Sequence, residues 1–187
     1  MNKRISTISL ALLAAVVLTT PLLATANAKK TIVSFQNIPV VLTPSPGDIV
    51  ISKLSGDGHL KITTSQNYQG IYNGPLGIGI LYSNLIVSVG DNIYFTPIGT
   101  AHSTYAYTLV IEEGPYGAGT LAGHLNAEYE YDLTVSPPRL QIWGNASLEQ
   151  GTEALSGIRM TFDIYSVPIS PTSFLQRQTG EITLPEK

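Results

Sequence analysis

The chain has 187 residues and a formal net charge of −3, and charged residues make up only 12% of it, so there is no basic stripe to follow a phosphate backbone and nucleic acid is not an expected partner. Cysteine is absent, which excludes disulfide staples, thiolate zinc sites and cysteine nucleophiles together. Seventeen glycines, 12 prolines and ten tyrosines among many Val, Ile and Thr residues favour strands joined by frequent turns.

Residues 1–28 read as an N-terminal signal helix. Lys3 and Arg4 give a charged start, Ile5 to Ala24 is almost wholly apolar, and Ala26-Asn27-Ala28 is a small-x-small step of the kind a signal peptidase accepts. The competing reading is an uncleaved anchor, since about 20 apolar residues can also cross a bilayer. Pro21 opposes it, because a proline there breaks the helix shortly before the cleavage step. Residues 29–187 are then a single β domain, secreted or held at the cell surface, with no membrane span after leader removal.

The first mature segment, Thr31 to Leu42, is apolar and runs into Pro44-Ser45-Pro46-Gly47. It is expected either as the first strand of its own domain or as a strand donated to a neighbouring copy. Asp48 to Leu54 reads as a strand entering a hairpin at Gly56-Asp57-Gly58, with His59 to Thr64 returning. Leu76 to Tyr82 and Leu85 to Val89 read as an apolar pair around Ser83-Asn84, and Gly90-Asp91-Asn92 turns the chain into Ile93 to Ile98.

From His102 the alternation strengthens, with Tyr105, Tyr107, Leu109 and Ile111 on one face. Leu125, Ala127, Tyr129, Tyr131, Leu133 and Val135 share one side of the next strand, opposite Asn126, Glu128, Glu130, Asp132 and Thr134. Pro137-Pro138 ends that strand, because proline supplies no ladder donor. Leu140 to Glu149, Leu155 to Val167 and Gly180 to Leu184 complete the sheet.

Some nine to eleven mostly antiparallel strands require a closed β-barrel or a two-sheet β-sandwich, since an open sheet of that size leaves edges exposed. The barrel is the preferred all-β reading, because Gly119, Gly123, Gly144 and Gly157 interrupt long strands where a curved sheet bends. Gly117-Ala118-Gly119-Thr120-Leu121-Ala122-Gly123, the segment from Gly144 to Gly157, and Thr179-Gly180-Glu181-Ile182 resemble exported proteins with an allene-oxide-cyclase-like or calycin-like barrel. The resemblance implies a barrel closed by the Thr179 to Ile182 strand. The chain departs from that group at Glu153, where a glycine commonly stands.

Candidate chemistry is sparse. Glu128, Glu130 and Asp132 place three carboxylates on one strand face about 7 Å apart, which suits either a hard cation or a solvated outer face. His59, His102 and His124 are the only histidines and have no local ligand spacing, so neither metal nor other cofactor is expected. There is no Gly-x-Ser-x-Gly elbow, and Gly74-Pro75-Leu76-Gly77-Ile78-Gly79 lacks the context of a phosphate cradle, which disfavours an enzyme. Trp143, Tyr129 and Tyr131 are the candidate ligand contacts, and Asn145-Ala146-Ser147 is a glycosylation sequon at Asn145. Two functions follow as expectations: non-catalytic binding of a small apolar or carbohydrate ligand, or self-assembly of a filament subunit by donation of Thr31 to Leu42.

Overall fold

Residues with alternating inward apolar and outward polar side chains can be buried on one face only, and a sheet built of them must curl around that face. The computed structural model describes residues 30–45, 60–62, 67–91, 96–170 and 172–186, and in it this curling is complete. The strands are β1 (Thr31–Pro44), β2 (Leu60–Ile62), β3 (Asn67–Gly74), β4 (Gly77–Gly90), β5 (Ile98–Glu113), β6 (Gly119–Asp132), β7 (Arg139–Gly151), β8 (Arg159–Pro168) and β9 (Phe174–Leu184). Eight of them close an antiparallel barrel in the order β3, β1, β9, β8, β7, β6, β5, β4, with β4 returning to β3. The short β2 lies outside this ring, paired with Ser88 to Gly90 at the end of β4. Closure gives every barrel strand two neighbours, so the barrel rather than the two-sheet sandwich is the fold.

Several expected boundaries move. The hairpin expected at Ser83-Asn84 turns instead at Pro75-Leu76, and β4 runs unbroken from Gly77 to Gly90 against β3 and β5. Strand β6 stops at Asp132 rather than Val135, because Asp132 Oδ1 accepts hydrogen bonds from the Thr134 amide at 2.9 Å and the Thr134 hydroxyl at 2.6 Å, a local turn that competes with the ladder. Leu155 belongs to a 3-10 turn, Glu153–Leu155, so β8 starts at Arg159. Strand β9 begins at Phe174, six residues before the expected start at Gly180. Thr31 to Leu42 lies within the chain's own β1, in register with β9 from Thr31↔Leu184 to Leu42↔Phe174. The leader at 1–28, the Asp48 to Leu54 strand and its hairpin turn, and Ile93 to Phe95 lie outside the described residues.

The barrel is bent by local irregularities. The β6–β7 register shifts between Ala122 and Gly123, and a Cβ at Gly123 would sit 1.9 Å from the Ser147 carbonyl oxygen, so only glycine permits this approach. Glu153 has a left-handed backbone with φ 52°.

The two ends differ. The β3–β4, β5–β6 and β7–β8 turns gather at one end, where Leu76, Leu155 and Ile158 are buried as a plug. Beneath them Leu109, Leu121, Leu148, Met160, Phe162 and Ile182 fill the interior, each burial worth about 1.5–3 kcal/mol. Phe162 lies between Phe35 and Tyr107, with ring centroids 6.4 and 6.3 Å away. This half is a packed core, and the opposite half is hollow.

Candidate functional site

The hollow half holds a cavity of about 320 Å³. Each strand delivers its inward residues there by the period-two rule: Ser103, Tyr105 and Tyr107 from β5, Leu125, Ala127 and Tyr129 from β6, Ile164 and Ser166 from β8, and Phe174 and Gln176 from β9. Leu42, Tyr68, Ser83, Leu85, Ser88 and Ile142 complete the wall. Among the described residues no Asp, Glu, Lys, Arg or His side chain lines it.

The polar groups of this wall are largely paired with one another. Gln178 Nε2 donates to Gln176 Oε1 at 2.9 Å, and Gln176 Nε2 donates to the Tyr107 hydroxyl at 2.8 Å. The Ser103 hydroxyl donates to Ser88 Oγ at 2.6 Å, and the Tyr105 and Tyr129 hydroxyls are hydrogen-bonded to each other. Burial pushes the Tyr107 phenol up to about 12, with hydrogen bonds from Gln176 and Ser83 offsetting part of the rise. Burial likewise raises Tyr129, reinforced by nearby Tyr68 and opposed by a hydrogen bond with Ser103. Two buried atoms here have no hydrogen-bond partner among the described residues: Gln178 Oε1, and Ser166 Oγ on a residue 2% exposed in the cavity wall.

The three candidate contact residues occupy different places. Tyr129 lines the cavity. Tyr131 is buried one inward step closer to the barrel end, where its hydroxyl donates to the Asp91 carbonyl at 3.3 Å. Trp143 points out of the barrel, 36% exposed, with Nε1 donating to Glu128 Oε2 at 3.0 Å. Asn145 shares that outer face, exposed, with Nδ2 donating to Asp163 Oδ1 at 3.0 Å. The serines and Gln176 of the cavity wall were missed by sequence reading. Their signal was present in the inward alternation Ser103-x-Tyr105-x-Tyr107 and Gln176-x-Gln178.

Glu128, Glu130 and Asp132 all face outward from β6 as the alternation required. Glu128 is engaged by Trp143 and lies 3.9 Å from His102 Nδ1, while Asp132 is held below the usual carboxylate range by its hydrogen bonds from Thr134. Among the described residues no group of three or more His, Asp or Glu side chains is placed to hold a metal ion. His102 and His124 are both exposed on the outside, and His59 lies outside the described residues. Gly74 to Gly79 forms the β3–β4 turn and the start of β4. No helix among the described residues is long and apolar enough to cross a membrane. No protein family, no curated protein and no solved structure matches the chain.

Proposed function

We propose that this chain is an exported container that binds, without catalysis, a small neutral and mostly apolar molecule in the hollow half of its barrel. The observation that carries this reading is the Ser166 hydroxyl, buried and without a hydrogen-bond partner among the described residues, on the wall of a cavity whose described lining carries no charged side chain. A buried hydroxyl left unpaired costs about 1–3 kcal/mol, and a ligand that supplies a donor or acceptor removes that cost. A carboxylate or ammonium ligand would meet no counter-charge among the described residues of this wall and would lose its hydration. The cavity volume of about 320 Å³ falls at the small end of ligand sites, which run from about 300 to 1,000 Å³.

A wall built of phenols pushed upward, Tyr107 to about 12, keeps them protonated at neutral pH. They offer hydrogen bonds and no general base, which favours binding over catalysis. Export is supported by the charged start, apolar stretch and Ala26-Asn27-Ala28 step of residues 1–28, and a place outside the cell or on its surface follows from it. The likeness to exported calycin-like barrels supports the same reading. Donation of β1 to a neighbour would sacrifice its ladder to β9, so a monomer is the expected state in solution.

The test is a thermal-shift series with medium-chain alcohols, monoterpenoid alcohols and simple phenols, set against fatty acids and alkylamines of matched size. Neutral ligands should raise Tm, since a molecule that binds only the native state stabilises it. Ser166→Ala should weaken that binding about two- to tenfold, the worth of one neutral hydrogen bond. Absence of any shift with the neutral series, or an equal response to the charged one, would overturn the proposal.

A further inference from the structure

The outer faces of β5 to β8 carry a second feature. In one cross-strand row His102, Glu128, Trp143 and Tyr165 stand side by side, in register from β5 to β8. The next row, about 7 Å along the strands, is Thr104, Asn126, Asn145 and Asp163. All of these residues except Tyr165, which stands just beyond the edge next to Trp143, line a groove of about 660 Å³ on the outside of the barrel, bordered by Val87 and Val89 of β4.

Three properties of this groove point to one kind of occupant. The first is an exposed aromatic platform held in one orientation. Trp143 is 36% exposed and Tyr165 beside it 44%, and the indole is tied down by its hydrogen bond to Glu128. Fixing the ring in advance lowers the entropy lost on binding. The second is the density of short polar groups around it. Thr104 donates to Asn126 at 3.1 Å and Asn145 to Asp163 at 3.0 Å, which leaves amide groups of the second row and a carboxylate of each row facing solvent. The third is charge. Glu128 and Asp163 make the groove unfit for phosphate or an anionic lipid surface, and the amides and hydroxyl between them suit a partner bearing many neutral hydroxyls.

We infer that this outer groove binds a neutral oligosaccharide, with Trp143 as the surface on which a sugar ring stacks. A pyranose presents an apolar C–H face to the indole while its rim hydroxyls reach Asp163, Asn145 and Asn126. Four strands at about 4.8 Å spacing make each row about 14 Å long, enough for two or three sugar units in line. The site lies on the outer face of the same strands whose inner face walls the cavity, and Ser103, Ala127 and Ile164 contribute to both linings.

Trp143 is the single tryptophan of the chain, so indole emission excited beyond the tyrosine absorption band comes from this groove alone. The purified protein, with Asn145 confirmed by mass to be unmodified, is titrated with tetra- to hexasaccharides of glucose, mannose and N-acetylglucosamine in α and β linkages, and with oligolysine. At least one neutral oligosaccharide should change the indole emission saturably, and calorimetry should give the same Kd. Trp143→Ala should raise that Kd tenfold or more, Trp143→Phe should keep part of the binding, and Asp163→Ala should raise it about tenfold, the loss of a hydrogen bond to a charged group. Each variant should keep the parent melting temperature and the parent response to cavity ligands. Silence across the whole glycan panel, binding that survives Trp143→Ala, or saturation by oligolysine alone would overturn the inference.

Discussion

Gln176 Nε2 donates to the Tyr107 hydroxyl across the inside of the barrel, joining β9 to β5 at 2.8 Å where the packed core gives way to the cavity. Both side chains are 1% exposed, so neither can exchange this partner for bulk water. Gln176→Leu should destabilise the fold by about 1–3 kcal/mol, because it strips one partner from a buried phenol and another from the Gln178 amide. Tyr107→Phe removes the phenol itself. The double variant should then cost less than the two single costs added together, by about 0.5–3 kcal/mol, since the groups share one network. Urea denaturation of the three variants measures this, and strict additivity would contradict the network.

The same phenol, with two others, weakens the fold at alkaline pH. Tyr107 is pushed up to about 12 by burial, while in the unfolded chain it titrates near its ordinary value of about 10. Below about pH 10 both states keep the proton, and the stability associated with the buried phenol is fully present. Between about pH 10 and 12 the unfolded state releases a proton that the folded state retains, so stability falls by about 1.4 kcal/mol per pH unit for each such tyrosine. Tyr72 and Tyr129 are raised in the same direction by burial and should steepen the loss. Urea midpoints at pH 9, 10 and 11 should decline progressively, and Tyr107→Phe should flatten the slope. A profile that is level to pH 11 would show that these phenols are open to solvent.

How far the fold was legible depended on what each strand faces. Strand β6 obeys a simple binary code, because Leu125 and Ala127 point inward and Asn126 and Glu128 point to water, and its orientation was readable directly. Strand β4 broke the code at Ser83, which looked like a turn residue beside Asn84 but faces the interior, buried at the cavity wall. Strand β9 broke it again at Gln176 and Gln178, two inward amides that made Phe174 to Thr179 resemble a polar loop. A barrel with a half-polar interior hides its own strands, since binary patterning assumes an apolar inside. Trp143 was singled out as a binding residue from its type, but its outward direction became readable only once the register of β7 was fixed.

Gly123 tests the bend between β6 and β7. An alanine Cβ there would fall 1.9 Å from the Ser147 carbonyl oxygen, and both groups belong to paired backbone that cannot swing aside. Gly123→Ala should therefore force the two strands apart, at a cost of about 1–3 kcal/mol as for other overpacked sites. Calorimetric melting is the direct measure. A variant as stable as the parent would mean that the register shift between Ala122 and Gly123 is tolerant of a side chain.

Glu153 presents the opposite case, a side chain at a position whose backbone favours none. Its φ of 52° opens the 3-10 turn between β7 and β8, where a non-glycine residue pays about 1–2 kcal/mol for left-handed geometry. Glycine avoids that penalty but loses about 0.5–1 kcal/mol more conformational freedom on folding than a residue with a Cβ. The first effect is the larger, so Glu153→Gly should stabilise the protein by about 0.5–1 kcal/mol. Glu153→Asn should fall between the two, because asparagine tolerates this region better than glutamate. The Glu153 side chain is exposed, so no buried contact is lost in either change. Denaturation midpoints ordered Gly, Asn, Glu from most to least stable are expected, and a glycine variant weaker than the parent would mean that the turn is held by the Glu153 side chain rather than strained by it.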